Sequence, residues 1–170
     1  MTRYRPAAAA PKSPYITRAG WQALLDEQET LWKRRRKVVT HLAAAAAEGD
    51  RSENAEYIYR KKQLREMDRR IRYLQKRLPL LKVVESQPEG TDRIFFGAWI
   101  TLEDEDGMQT VYRIVGADEF DPKRKWISVD SPMARALLKR QIDDAVTVDT
   151  PGGRINLVVL GIHYAEPGAV

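Results

Sequence analysis

Four carboxylates crowd into nine residues of the first third of the chain, and they are the residues best suited to chemistry. The stretch runs from Glu48 to Glu56 and reads Glu-Gly-Asp-Arg-Ser-Glu-Asn-Ala-Glu. Asp50 and Glu53 lie three residues apart, so at the start of a helix both side chains can point the same way. Carboxylate oxygens placed like this can supply one or two ligands to Mg²⁺ and can orient a water, but cannot complete an octahedral shell.

The same two residues also fit a purely structural role. In a capping box, Asp50 would accept from the backbone at the helix start and Glu53 would reach back. Both roles are compatible, because a helix N-terminus favours the ionised carboxylates that a metal needs. Glu48 and Glu56 are further candidates, for which we expect structural roles.

Elsewhere the sequence offers no comparable set of metal ligands. His41 and His163 fall in a helical and a strand pattern without metal-ligand spacing, so we expect solvated or core roles for both. The chain has no cysteine, which excludes disulfides and thiolate metal sites and fits a reducing compartment. We expect no cofactor to be held by this chain on its own.

Two long amphipathic helices must position the acidic stretch, because apolar residues recur in steps of three and four on both sides of it. Before it they are Trp21, Leu24/Leu25, Leu31/Trp32, Val38/Val39, Leu42 and Ala45/Ala46; after it they are Tyr57, Leu64, Met67, Ile71, Leu74, Leu78 and Leu81. Folding the chain between Gly49 and Asp50 matches the two sets, with Arg35, Gln28 and Arg60 as polar exceptions. The pattern predicts an antiparallel coiled-coil hairpin over residues 16–85, with arms of roughly 40 Å and an acidic, exposed tip.

Local signals suggest where these helices begin and end. Thr17 is a good N-cap, so the first helix is predicted from about residue 18 to 47. The second is predicted to start at residues 51–53 and to end or bend at Pro79. Residues 1–15 are basic and contain a short Ala run that is too weak for a secretory signal, so we interpret them as a disordered tail and the protein as cytoplasmic.

The second half of the chain changes period. Residues 86–94 are typical of a linker. Short runs rich in β-branched and aromatic residues follow, separated by turn signals, at Phe95–Leu102, Thr110–Val115, Trp126–Val129, Ala145–Val148 and Ile155–Tyr164. One helix is predicted over Pro132–Lys139, with Ser131 as its N-cap. The fold class is therefore α+β with two domains, the second over residues 95–166.

Charge is divided between the two halves. Residues 17–82 contain 17 Lys and Arg against 9 Asp and Glu, whereas residues 83–170 contain 9 against 15. A basic half is compatible with a nucleic-acid partner, although exposed helices are often rich in Lys and Arg. No apolar run approaches the ~20 residues of a membrane span, so we expect no membrane partner.

Two long motifs resemble one bacterial family. The stretch Gly49–Tyr57 with its flanking hairpin, and the segment Asp130–Leu138, resemble transcript cleavage factors of the Gre (GreA/GreB) family. Further runs at residues 72–78, 96–99 and 113–116 are most similar to its GreB branch. The resemblance covers about residues 15–166 and leaves the tail unexplained.

The resemblance implies a fold and a function. It implies an FKBP-like second domain with an antiparallel sheet and one helix, and a monomer that binds RNA polymerase and inserts its hairpin into the secondary channel. There Asp50 and Glu53 would assist Mg²⁺ of the polymerase active site in hydrolysing backtracked RNA, sharing that metal without binding it alone. Asp130, Ser131 and Pro132 would form the polymerase-docking loop with apolar neighbours such as Met133 and Leu137; an ordinary helix cap is the alternative.

Basic residues gather midway along both arms of the hairpin. They are Lys33, Arg34, Arg36, Lys37, Lys61, Lys62 and Arg65. A solvated helix face is the usual meaning of such a run, but its concentration on both arms favours contact with phosphates of the nascent RNA 3′ segment.

Other function classes fit less well. A secondary-channel regulator without cleavage stimulation should carry a changed acidic tip. A prolyl isomerase or chaperone would need an aromatic-lined hollow in the second domain, and a plain coiled-coil scaffold would make the acidic tip incidental. The sequence therefore favours an activator of another enzyme's hydrolysis over a free nuclease.

Overall fold

The computed structural model of the protein describes residues 11–47, 54–85 and 92–165. Residues 18–81 form one compact unit, and the described residues before and after them form the other. The predicted α+β class with two domains is confirmed. None of the helices within these described ranges is both long and apolar enough to cross a bilayer.

The first unit is a helical hairpin. Helix α1 spans Arg18–Ala47 and α2 spans Ala55–Arg77, followed by a short 3-10 helix at Leu78–Leu80. The last element contains Pro79, which ends the α-helical hydrogen bonding as predicted. Polar links cross between the described parts of the two arms, among them Asn54 Nδ2 to Ala45 O at 2.9 Å, Arg35 Nε to Asp68 Oδ1 at 2.6 Å, and Arg70 with Glu27. Each lies within about one helical turn of the predicted register.

The contact line between α1 and α2 differs in part from the predicted one. On α1 it passes through buried Val38 and half-buried Leu31, whereas Trp32 and Val39 are each 39% exposed. Among the hairpin residues that the structure describes, the buried ones are Leu24, Val38, Ala45, Met67, Ile71 and Leu74. Where two apolar residues are adjacent in the sequence, periodicity does not show which one faces the partner helix. The packing of the two helices against each other determines it.

The start of α2 corrects a second expectation. Its N-cap is Asn54, whose side chain accepts from the backbone N–H of Tyr57 at 3.0 Å. The helix therefore begins at Ala55, not at residues 51–53, and the capping-box interpretation of Asp50 and Glu53 falls on residues outside the described ranges. Asn serves as well as Asp at an N-cap, which is why both sites satisfied the sequence rule.

The second unit is built on a five-stranded sheet with the order β5-β4-β3-β7-β6. Its strands are β3 (Trp99–Asp104), β4 (Gln109–Val115), β5 (Trp126–Ser128), β6 (Ala145–Thr150) and β7 (Gly153–His163). All neighbours are antiparallel except β4 and β5, which run parallel. The mainly antiparallel sheet with one helix agrees with the expected fold class, and the β4–β5 edge pair is its parallel exception.

One face of this sheet carries the core of the second unit. Helix α3 (Pro132–Leu137) supplies Ala134 and Leu137, both fully buried, and the strands supply Ile100, Ile114 and Val159, also fully buried. Ile94 is fully buried in the same cluster, so it belongs to the domain and not to the predicted linker. Residues 86–91 of that linker lie outside the described residues.

A second, two-stranded sheet was not expected. Strand β1 (Tyr15–Thr17) pairs in parallel with β2 (Lys82–Val84), and both belong to the second unit. The hairpin is thus inserted between them, and its boundaries move from residues 16 and 85 to 18 and 81. Residues 11–15 of the predicted tail are ordered against this unit, while residues 1–10 lie outside the described part of the chain.

Candidate functional site

The acidic stretch is described only at its edges. Asp50 and Glu53, with Glu48, lie outside the described residues, so their assignment stays a prediction. The described chain stops at Ala47, just before the stretch, and resumes at Asn54 within it. Ala47 and Asn54 are therefore the described residues that flank the predicted acids.

Asn54 ties the two arms together beside the acidic stretch. Its side-chain oxygen accepts from Tyr57 N–H, while its nitrogen donates to the carbonyl of Ala45 at 2.9 Å. Ala45 is only 4% exposed, so the helices approach closely there. One side chain therefore satisfies an orphan donor of α2 and a carbonyl near the end of α1. Both ends of the stretch are held at a fixed separation as a result.

Glu56 has a structural partner. Its carboxylate accepts from Arg60 Nε at 2.7 Å, four residues along α2, on the exposed surface. Such a pair stabilises a helix by a few tenths of a kcal/mol, and the negative charge also suits the first turn. This agrees with the structural role expected for Glu56.

The seven predicted basic residues are all exposed. They do not form a single patch, because helical position distributes them around the hairpin. At 100° per residue, Arg34, Lys37 and Lys62 are expected on the side that carries the Glu27–Arg70 pair, and we call this the groove face. The same spacing puts Arg36, Lys61 and Arg65 on the side that carries Trp32 and Val39, which we call the tryptophan face, and Lys33 on neither.

The groove face contains a depression of about 290 Å³. It is lined by Arg34, Tyr59, Lys62, Gln63, Glu66 and Met67. Tyr59 is 58% exposed, so an aromatic ring stands beside two cations. Cations next to an aromatic face are what a single-stranded nucleic acid uses for phosphate contact and base stacking.

Local interactions occupy two of the seven basic side chains. Lys33 forms an ion pair with Glu29 at 2.6 Å, and the Lys61 ammonium lies 5.7 Å from the centre of the Tyr57 ring. The other five form no ion pair with a carboxylate within residues 11–47, 54–85 and 92–165. Their charge is therefore available to a partner.

The predicted docking loop lies between β5 and α3. Ser131 is the N-cap of α3, accepting from Ala134 N–H at 3.1 Å, and Pro132 occupies the first helical turn and is exposed. Asp130 is half-buried, and its carboxylate accepts from both the backbone N–H and the hydroxyl of Ser13. Met133 is half-buried and Leu137 belongs to the core. The structure thus brings the three residues together and confirms the capping role of Ser131; their docking role stays a prediction.

Neither histidine is placed at a metal site. His41 is exposed on α1, and His163 is exposed at the end of β7. Within the described ranges, no group of three His, Asp or Glu side chains is arranged to hold an ion.

Sequence reasoning missed Asn54 and Ser13. Asn54 carried a usable signal, since Asn before a helical pattern is a strong N-cap. Ser13 carried none, because its partner Asp130 is 117 residues away.

Family models and curated relatives agree on what this chain is similar to. Residues 14–83 match the model described as transcription elongation factor, N-terminal, and residues 87–164 match the one described as transcription elongation factor, GreA/GreB, C-term. Transcription elongation factor GreB of Yersinia pestis is 57% identical over 154 residues, 90% of either chain. The protein of that name from Xanthomonas axonopodis pv. citri is 53% identical over 168 residues, 98% of this chain and 99% of its own.

A solved structure also matches most of the chain. It is the GreA factor homolog 1 (Gfh1) protein of Thermus thermophilus, 26% identical, covering 89% of this chain and 99% of its own with a TM-score of 0.41.

Proposed function

The chain belongs to the GreA/GreB family of transcription elongation factors, and we propose that it binds RNA polymerase and stimulates cleavage of backtracked nascent RNA. In this proposal the hairpin enters the secondary channel of the polymerase. Asp50 and Glu53 then assist the Mg²⁺-dependent endonucleolytic cleavage that the polymerase active site performs, and arrested complexes are rescued. The protein is a cytoplasmic monomer and an activator, not an enzyme.

The observation that supports the proposal is that Asn54 forms hydrogen bonds with both arms of the hairpin. Two long antiparallel helices are joined across Asn54 and Ala45, directly beside the residues that bear the predicted acids. Helix α1 alone, with 30 residues, is about 45 Å long, which suits delivery of a small acidic stretch into a deep channel.

The two predicted acids can supply only some of the oxygen ligands that a Mg²⁺ ion needs. Two carboxylates can complete the shell of an ion and orient a water, but the remaining oxygen ligands must come from the polymerase. A metal in a nuclease site activates water and neutralises charge on the transferring phosphoryl group. This chain contributes by holding two carboxylates in place, and a rigid hairpin lowers the entropy cost of ordering them.

Removing the two acids tests the proposal. We expect Asp50→Asn and Glu53→Gln each to abolish stimulated cleavage in a stalled elongation complex, because an amide cannot replace an anionic ligand. Polymerase binding should remain close to that of the unchanged protein. The measurement is the rate of RNA cleavage at saturating factor, with and without Mg²⁺, beside equilibrium binding.

Glu56→Gln is the matched control, since it removes a neighbouring carboxylate that already pairs with Arg60. Its cleavage rate should stay within about twofold, the size of an exposed ion pair. Unimpaired cleavage by an Asp50→Asn, Glu53→Gln double variant would refute the role of the acids. It would leave the alternative of a secondary-channel regulator without cleavage stimulation.

A further inference from the structure

The segment ahead of α1 lies against the loop that carries the predicted docking residues. We call residues 11–17 the N-terminal strap. Its first fixed point is Ser13, whose backbone N–H donates to Asp130 Oδ2 at 2.9 Å and whose hydroxyl donates to Oδ1. Its second is Thr17, whose N–H and hydroxyl both bind the carboxylate of Glu119, the former at 3.0 Å. Between these points β1 pairs with β2.

The backbone of the docking loop is held without the strap. Asp130 N–H donates to Ser128 Oγ at 3.1 Å, and Ser131 N–H donates to Ser128 O at 2.9 Å. Ser131 in turn caps α3. These are local contacts of the loop itself, so they fix the path of the chain but not the direction of the Asp130 side chain.

The Asp130 carboxylate is oriented by the strap. Ser13 donates one hydrogen bond to each of its two oxygens, which leaves about half of the four lone-pair positions of an ionised carboxylate for another donor. A half-buried carboxylate held in this way cannot rotate freely, so a partner would not have to order it on binding. Beside it lies a depression of about 340 Å³ whose lining includes Lys12, exposed Phe120 and Arg135.

We propose that Ser13 is a positioning residue for polymerase docking. Ser13 sets the orientation in which Asp130 meets an N–H donor, a basic side chain or a backbone amide, of the polymerase. The inference rests on the docking role proposed for Asp130, Ser131 and Pro132, and adds a residue that neither the spacing nor the resemblance indicated.

Affinity for RNA polymerase tests it, with the full-length chain. Ser13→Ala removes the hydroxyl bond but keeps the backbone one, so binding should weaken between about two- and tenfold, the worth of one hydrogen bond. The cleavage rate at saturating factor should not change, because positioning acts on docking and not on chemistry. Ser13→Thr, which keeps the hydroxyl, should restore the affinity.

Two comparisons separate this role from general damage to the strap. Thr17→Val removes the hydroxyl bond to Glu119 at the other fixed point and keeps the backbone one, so it should lower thermal stability and leave affinity nearly unchanged. In an Asp130→Ala background, Ser13→Ala should weaken binding no further. The role of Ser13 is wrong if Ser13→Ala weakens binding as much in the Asp130→Ala background as in the unchanged protein. It is also wrong if Asp130→Ala weakens binding and Ser13→Ala does not. Neither result contradicts the docking role of Asp130. Unchanged binding by Asp130→Ala overturns the docking role as well.

Discussion

At the scale of single residues, Asn54 shows how one side chain can serve two helices. Its amide offers an acceptor and a donor at once, so it caps α2 and also binds the Ala45 carbonyl on α1. An aspartate could do only the first. Asn54 therefore links α2 to α1 as well as capping it.

Tyr164 is the residue whose ionisation most clearly depends on the fold. Its hydroxyl donates to Arg93 O at 2.6 Å and accepts from Phe95 N–H at 3.1 Å. Burial raises the pKa of the phenol above its usual value, while the hydrogen bond from Phe95 lowers it. The neutral form is thus the one that the folded state favours.

A pH-dependent loss of stability follows for Tyr164. Because its folded pKa is raised, the stability it contributes is fully present below the unfolded pKa of about 10 and is lost as pH rises through the folded pKa. We expect Tyr164→Phe to lower the free energy of unfolding by about 1–3 kcal/mol at neutral pH, for two lost hydrogen bonds. The difference from the unchanged protein should shrink above about pH 10, measured by urea unfolding across that range.

Tyr112→Phe is the control for this measurement. Tyr112 also packs against the core of the second unit, but its hydroxyl has no hydrogen-bond partner among the residues that the structure describes. Its removal should change stability little. A constant difference for Tyr164→Phe across the whole range would contradict the role of its ionisation.

At the scale of elements, the hairpin has a narrow apolar contact line. Val38 and Val39 are neighbours of the same type, yet Val38 is 5% exposed and Val39 is 39% exposed. We expect Val38→Ala to cost about 2 kcal/mol of hairpin stability, from two lost buried methyl groups. Val39→Ala should cost less than about 0.5 kcal/mol, as for an ordinary surface change.

Thermal unfolding followed by circular dichroism at the helix band distinguishes the two valine variants. Their helix propensities change identically, so only burial separates them. Equal destabilisation would mean that both residues face α2, which is the wider contact line that the sequence had suggested.

The distribution of basic residues is also a property of the elements. Changing Arg34, Lys37 and Lys62 to Gln removes three charges from the groove face, and changing Arg36, Lys61 and Arg65 removes three from the tryptophan face. We expect the groove-face variant to lose more activity on long backtracked RNA, because two of its three cations, Arg34 and Lys62, share a depression with an exposed aromatic ring. Short backtracked RNA should be cleaved almost normally by both.

Salt dependence of RNA cleavage provides the measurement for these two variants. Three lost phosphate contacts should reduce the slope of log activity against log salt by about 2 for single-stranded RNA. The tryptophan-face variant is the control with the same net charge. Identical losses by both variants, at every RNA length, would argue for a general electrostatic attraction and against a track on one face.

At the scale of the whole molecule, the second unit is assembled from segments on both sides of the hairpin. Gly116 lies where they meet: a Cβ added there would overlap the carbonyl oxygen of Tyr15 and stand 3.2 Å from Ile16 Cα. Both neighbours are backbone of β1 and cannot rotate away. We expect Gly116→Ala to displace the N-terminal strap and to cost about 1–3 kcal/mol of stability, as overpacking does.

Gly161→Ala is the matched control, because a Cβ there would meet only side-chain atoms at 3.5 Å or more. Hydrogen exchange of the β1 amides reports the displacement directly, beside the midpoint of thermal unfolding. Retention of β1 protection in Gly116→Ala would show that the strap is not held by this close approach.

Local periodicity was enough to determine most elements. The bounds of α1, the strands near residues 110, 126 and 145, and the cap of α3 by Ser131 follow from apolar spacing and from short-range hydrogen bonding, which depend on neighbours in the chain. The resemblance of two motifs to one family was likewise contained in the sequence.

Only the tertiary structure decided which distant segments meet. The pairing of residues 15–17 with 82–84, the hydrogen bonds of Ser13 to Asp130, and the choice of Val38 over Val39 all depend on partners brought close by folding. Such contacts leave no periodic pattern in the sequence of either partner. A three-residue segment or a single serine has the same local sequence whether or not a distant partner contacts it. The insertion of the hairpin into the second unit is their combined result.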